Sequence, residues 1–324
     1  GQTNGAEDIL ISNNTAKTIS LQSTNMANPY RGNISILSNQ ITNHLSISPN
    51  YLDAQGELSV TDNWGNYVIY LSHVYSTPVT EYKRIIRRNR EVKSLDLRGC
   101  SYVLVEDNEI LLSKAVAQVD YIGMSMYSVS YSLIRRNTIL HNEPISLYIT
   151  TFGFKLDGDV NQYASFANKN NIIEENTING WSRGILLNGA QDNTIRSNDL
   201  EKNSITYALG RYHSGNQIYN NKSIPVSGGR HSFVDYCELG DFTPYSCANS
   251  WSIEKMAGTN IGGGPFMGGN YWSGYSGADA DKDGLGALGI ELEGKIKDES
   301  STMKWFVGTL VIILLAVLGY IATQ

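Results

Sequence analysis

One short pattern of apolar and polar positions recurs along the chain: an Ile or Val, two further residues, then Asn. It pairs Ile11 with Asn14, Ile36 with Asn39, Val60 with Asn63, Ile86 with Asn89 and Val105 with Asn108. It returns at Ile134 and Asn137, Ile173 and Asn176, Ile195 and Asn198, and Ile218 and Asn221. In the better copies an apolar residue follows two positions later, at Ile41, Ile110, Ile139, Ile178 or Leu200. The intervals between copies are 25, 24, 26, 19, 29, 39, 22 and 23 residues. The two apolar positions are five apart, and residues an odd number apart on one strand face opposite sides. For both to be buried the chain must turn a corner between them. Asn suits the corner, because it tolerates left-handed backbone and bonds its own main chain. Stacked corners would let the amides of Asn137, Asn176, Asn198 and Asn221 join in a ladder. Helical periodicity is absent, and each repeat is too long for a hairpin. Short strands separated by corners, repeated about every two dozen residues, predict an all-β parallel β-helix. About nine coils at ~4.8 Å each would make a rod roughly 43 Å long.

The pattern also predicts the domain organisation. Coils fill residues 1–224, and the 39-residue interval predicts an insertion at 150–170 that loops out of the stack. A cap with a Cys pair and an acidic loop is expected over 225–290, then a charged linker over 291–304. Residues 305–322 read WFVGTLVIILLAVLGYIA, eighteen positions without a charge. As a helix they would span roughly 27 Å, close to the hydrocarbon core of a bilayer. Trp305 and Tyr320 stand near the two ends, where aromatic belts form.

Orientation rests on opposing signals. Lys295, Lys297 and Lys304 precede the span and would draw that side toward the cytoplasm. Against this, the sequence starts at Gly1 rather than Met, which leaves either a removed signal peptide or a trimmed start. Cys237 and Cys247 lie ten apart and would close a small disulfide. Asn13, Asn33 and Asn221 each begin an N-glycosylation sequon. The expectation is a single-pass protein of the cell membrane with its large domain extracellular. Cys100 reads as a small buried hydrophobe.

Composition narrows the classes. The net charge is −6, with 17% charged and 41% hydrophobic residues, which excludes a disordered chain. Without a basic block, nucleic acid is not an expected partner. Asn and Gly each occur 31 times, against 7 Pro, the balance of a chain rich in turns.

After the last coil the sequence changes to Gly258-Thr259-Asn260-Ile261-Gly262-Gly263-Gly264-Pro265, then Gly268-Gly269-Asn270-Tyr271-Trp272-Ser273, then Asp279-Ala280-Asp281-Lys282-Asp283-Gly284-Leu285-Gly286. With the Asn-corner coils, this resembles the NosD-like family of right-handed parallel β-helix proteins, especially its archaeal surface forms. The resemblance covers roughly residues 30–286. It implies a right-handed helix and an extracytoplasmic location. It further implies copper handling beside an ABC transporter, or carbohydrate binding and processing, while many members are surface scaffolds. Where such proteins continue with another Asp and a Thr-Pro-Tyr closing strand, this chain has Ala287-Leu288-Gly289-Ile290.

The candidate chemistry is sparse. Asp279, Asp281 and Asp283 before Gly284 match the first half of a calcium loop, with the Leu285 carbonyl as a further oxygen. Position twelve is Ile290 instead of a bidentate Glu, so calcium would pin the cap rather than act in catalysis. Copper needs soft or imidazole ligands that converge. His44, His73, His141, His213 and His231 are scattered, and Met124 with Met126 on one strand face is a thin offer, so copper is disfavoured. Polysaccharide cleavage needs a carboxylate pair. Asp157 with Asp159, and Glu174-Glu175 with Arg196 one coil on, are the available clusters, and no lyase or hydrolase signature accompanies them. The aromatics Tyr207, Tyr212, Tyr219, Tyr271, Trp272 and Tyr275 would stack on sugars or, for Tyr271 and Trp272, cap the rod. The reading is a membrane-anchored, non-catalytic scaffold or accessory subunit of a membrane complex. Its rivals are a carbohydrate-binding or polysaccharide-cleaving protein and a copper-delivery module. The partners expected are the membrane through 305–322, membrane-protein subunits or cell-surface glycans.

Overall fold

Each Ile/Val of the repeat sits at the centre of a short strand and points to the axis of the rod. These strands stack in parallel as one nine-stranded sheet. The inward residues are in strict register from Ile11 through Ile36, Val60, Ile86 and Val105 to Ile134, Ile173, Ile195 and Ile218. From Ile36 onward all are fully buried. The computed structural model describes residues 8–22, 32–48, 56–74, 81–112, 121–142, 150–158, 167–210, 212–234 and 248–273. Within them the chain is an all-β solenoid of the right-handed type, with no helix. Every strand pair is parallel except Met256–Ala257 with Phe266–Met267.

A second wall closes the coils. In the first four coils it is one long strand per coil: Thr15–Gln22, Gln40–Ser48, Trp64–Ser72 and Arg90–Arg98. Arg90–Arg98 then pairs with two successors, Glu109–Leu112 and Tyr121–Tyr127. From that coil on, the wall is two short strands with an extra corner between them. One column runs on through Thr138–His141, Thr177–Asn179, Asp199–Glu201 and Lys222–Ile224. The other runs through Thr151–Asp157, Arg183–Asn188, Ile205–Leu209 and Arg230–Val234.

Two boundaries differ from the sequence reading. Thr151–Asp157, expected in a loop outside the stack, is a coil strand. Its alternation buries Phe154 and Leu156 completely, and its neighbours on both sides are coil strands. Arg230–Val234, assigned to the cap, is likewise a coil strand. Met124 and Met126 share one face, as expected, but that face is the sealed core. Cys100 is buried and its thiol pKa is pushed up to about 12 by burial, which fits its reading as a small hydrophobe.

The expected transmembrane span 305–322, linker 291–304, acidic loop (Asp279, Asp281, Asp283, Leu285) and Cys237–Cys247 pair lie outside the described residues. Among the described residues no helix is long and apolar enough to cross a membrane.

Candidate functional site

The repeat asparagines form one continuous spine. The Nδ2 of Asn137 donates to Asn176 Oδ1 at 3.0 Å, that of Asn176 to Asn198 at 3.0 Å, and that of Asn198 to Asn221 at 2.9 Å. The spine begins at Asn14 and ends at Asn270 beneath the cap. Each link repeats one set of bonds. At Asn137 the Oδ1 accepts from the Asn108 backbone N–H and from Asn108 Nδ2, while Nδ2 also donates to the Val105 and Arg135 carbonyls. An amide fully satisfied in this way is cheap to bury. The asparagines are not themselves the left-handed residues. That conformation belongs to the residue just before each: Asn13, Ser38, Asp62, Arg88, Asp107, Arg136, Glu175, Ser197 and Asn220, with φ between 52° and 57°. The preceding residue makes the turn, and the Asn side chain is thereby directed inward.

The spine settles one modification site. Asn221, the third sequon asparagine, is fully buried and its Nδ2 donates to Ile195, Tyr219 and Asn270. It is therefore not a glycan acceptor in the folded chain. Asn13 and Asn33 are exposed.

Immediately after each inward Ile/Val, one side chain points out of the first wall. Down the stack these form a column of alternating sign: Arg87, Glu106, Arg135, Glu174, Arg196. The left-handed corner residues form a second: Asp62, Arg88, Asp107, Arg136, Glu175. Neighbouring coils therefore ion-pair. Arg88 grips Asp62 through two 2.7 Å bonds, and Arg136 reaches both Asp107 (2.8 Å) and Glu106 (2.7 Å). Arg135 adds a 2.9 Å bond to Glu106, and Arg196 holds Glu174 at 2.6 Å while donating to Tyr219 at 3.2 Å. The guanidiniums of Arg88 and Arg136 hold the Asp62 and Asp107 carboxyls below their ordinary range. The Arg87-Arg88 and Arg135-Arg136 pairs are thus rungs of an ion-pair ladder. Glu174, offered as a catalytic carboxylate, is neutralised by Arg196. Asp157 is held by Lys155 at 2.7 Å and Asn188 at 2.6 Å, and Asp159 lies outside the described residues.

Three of the five imidazoles are engaged in structure, while His44 and His73 are exposed. His141 Nδ1 meets the Gly180 carbonyl at 3.1 Å. His213 Nδ1 accepts from Asn249 Nδ2 at 2.7 Å, and burial pushes its pKa down to about 4. His231 lies between Ser223 Oγ (2.8 Å) and the Ser273 carbonyl (3.0 Å). Among the described residues no group of three or more His, Cys, Asp or Glu could hold a metal ion. Met124 and Met126 are sealed in the core, whereas Met256, 47% exposed, and Met267 are register partners on the antiparallel ribbon beneath the cap.

At the C-terminal end Trp272 covers the core, packed against His231 at 5.2 Å, Trp251 at 5.9 Å and Tyr207 at 6.0 Å. Tyr271, expected to share that role, is instead 47% exposed. Tyr207 and Tyr219 are buried, so neither offers a face to a sugar. Tyr275 lies outside the described residues.

Three features went unread in the sequence. A second asparagine ladder runs from Asn171 through Asn193 and Asn216 to Asn249. Its signal is a second Asn five residues before the first, as in Asn171/Asn176 and Asn193/Asn198. Trp181, fully buried, takes an asparagine's place at another corner: its indole Nε1 donates to the Ile139 carbonyl at 3.0 Å. Gly123 and Gly153 leave the room it needs, since a Cβ on either would stand 2.9 Å from the ring. The alternating charges were also legible, as the residues directly after each repeat Ile/Val.

Residues 156–277 match the family described as "Periplasmic copper-binding protein (NosD)". No curated protein matches the chain. The matched segment covers the coils with two asparagine ladders and the Trp272 cap.

Proposed function

We propose that the chain is a NosD-like, non-catalytic module held outside the cytoplasm by the 305–322 span, where it serves as a rigid scaffold or accessory subunit of a membrane complex. The observation that supports this most is the state of the outward carboxylates. Asp62, Glu106, Asp107 and Glu174 are each committed to a guanidinium of a neighbouring coil. General acid–base cleavage of a glycan needs two carboxyl groups free to exchange protons with substrate. A stack locked by continuous amide ladders is instead suited to holding surfaces at fixed spacing. The acidic loop at Asp279, Asp281 and Asp283 would bind calcium to secure the cap, and exposed Asn13 and Asn33 would carry glycans. Detergent extraction of the full chain followed by affinity purification tests the reading. Partner subunits co-purifying at fixed stoichiometry support it. A chain that leaves the membrane without detergent and purifies alone overturns it.

A second reading is copper delivery, favoured by the family match over 156–277. Titration of the full chain with Cu(I) under reducing conditions tests it. Stoichiometric binding that His213→Gln and His231→Gln abolish would support copper handling at the cap; absence of binding removes it.

A further inference from the structure

On the outward face of the second wall one carboxylate holds an amine and a carboxamide side by side. Asp157 closes the strand Thr151–Asp157. Its Oδ2 accepts from Lys155 Nζ at 2.7 Å, and its Oδ1 accepts from Asn188 Nδ2 at 2.6 Å. Asn188 is the register partner of Asp157 on the next coil, and Lys155 stands two residues earlier on the same strand as Asp157. In the described ion pairs the cation is an arginine except at Lys155 and Lys222. A guanidinium stays protonated, whereas a lysine amine is a nucleophile once it has lost a proton. The carboxamide is seated where the following coil has Gly210, at which a Cβ would stand 2.7 Å from Asn188 Oδ1. The lysine is flanked by an apolar cluster separate from the main core, formed by Phe152, Leu186 and Ala208. Leu186 is its register partner, and the centre of the Phe152 ring is 5.6 Å from Nζ. The Lys155 and Asp157 side chains are only 23% and 27% exposed.

We propose that Lys155 and Asn188 join in an isopeptide bond, with Asp157 as the acid–base group that transfers the protons. Asp157 takes a proton from the Lys155 ammonium. The amine lone pair forms the bond to Asn188 Cγ, and the Cγ–Nδ2 bond breaks. Lys155 Nζ goes from three protons to one. The two it gives up pass by way of Asp157 to the departing nitrogen, which leaves as ammonium. Asp157 ends as it began, ionised, and no oxidant, reductant or further reactant is consumed. One carboxylate holds both groups, so proximity supplies what an encounter between separate molecules would lack. The apolar flank keeps water from competing for Asn188 Cγ. The bond fastens Thr151–Asp157, the strand inside the repeat's longest interval of 39 residues, to the coil that follows. Closing a long stretch of chain removes freedom from the unfolded state, so the bond raises stability. It requires neither the membrane span nor copper.

The test is peptide mapping by mass spectrometry of the full chain digested with trypsin, which does not cut at an acylated lysine. Wild type should yield one branched peptide joining residues 137–169 to residues 184–196, lighter than the two together by about 17 Da, the mass of ammonia. Asp157→Ala should leave Lys155 and Asn188 unjoined although both are present. Circular dichroism of each variant checks that the coils remain folded. Lys155→Arg, which keeps a cation beside Asp157 but offers no amine, should melt several degrees below wild type. A wild type cut at Lys155 into linear peptides would overturn the proposal. So would a loss of about 18 Da, which is water and would place the bond on a carboxylate instead. Undiminished joining in Asp157→Ala would overturn it as well.

Discussion

The first four coils and the five that follow solve the same problem differently. Up to Arg90–Arg98 each coil carries a single asparagine ladder and a long strand that bends through irregular register at Ala16/Thr18 and around Tyr67, and the left-handed turns after that strand, at His73 and Gly99, are followed by buried Val74 and Cys100 rather than asparagine. Beyond it the long strand is divided and the added corners carry their own buried amides: Asn171, Asn193 and Asn216 in one ladder, with Asn168, Asn203 and Trp181 at other bends. A gentle bend keeps its main-chain bonds to neighbouring strands. A sharp one turns N–H and C=O groups into the core, where each must find a partner. The lesson is that dividing the long strand brings added buried amides with it, although not every left-handed turn takes one: Val74, Cys100 and Val103 follow His73, Gly99 and Tyr102.

The comparison can be broken or sharpened by experiment. The largest effect is expected in the first region, where a single asparagine ladder lines the coils. Asn63→Leu strips partners from Asn39 and from the Ile36 and Thr61 carbonyls. At 1–3 kcal/mol for each buried group left unpaired, partly relaxed, it should cost about 4 kcal/mol. Hydrogen exchange should show the loss of protection concentrated in the first four coils. Asn193→Leu, with the Asn198 ladder intact beside it, should cost about 2 kcal/mol. Equal costs would deny that the regions differ.

Next comes the end of the second ladder. The His213 imidazole titrates near 6.5 when unfolded and at about 4 when folded, burial being the cause. Between those values the unfolded chain binds the proton and the native chain does not. The His213 contribution to stability should therefore be lost as pH drops from 6.5 to about 4, by about 3 kcal/mol. His213→Gln should flatten that stretch of a urea-denaturation series. The steric fit of the added corners is tested by Gly153→Ala, whose Cβ would lie 2.3 Å from Ile178 Cγ2. Overpacking of this kind should cost about 2 kcal/mol, and Trp181→Phe in the same chain should return part of it. The smallest effect is expected at the junction. Asp107→Asn leaves packing intact but removes the charge that Arg136 grips, for about 1 kcal/mol in thermal unfolding.

Much of this was readable beforehand because the repeat is local. Ile134 and Asn137 state both what faces the axis and what closes the corner, and their spacing of three survives any loop length between coils. The insertion at 150–170 was misjudged because interval length alone cannot tell a loop from an extra strand. The alternation of inward Phe154 and Leu156 about Lys155 held the answer. Tyr271 and Trp272 could not be told apart, since adjacent residues on a strand face opposite ways and only the neighbouring strand Lys222–Ile224 fixes which one points inward.

The sequence by itself determined a parallel stack with asparagine corners, because periodic burial and a buried amide admit few other folds. Only the tertiary structure decided which residue takes the left-handed turn, which carboxylates are already neutralised and which sequon is sealed inside. Those properties belong to contacts between coils some two dozen residues apart, where partners are chosen by register rather than by neighbours in the chain.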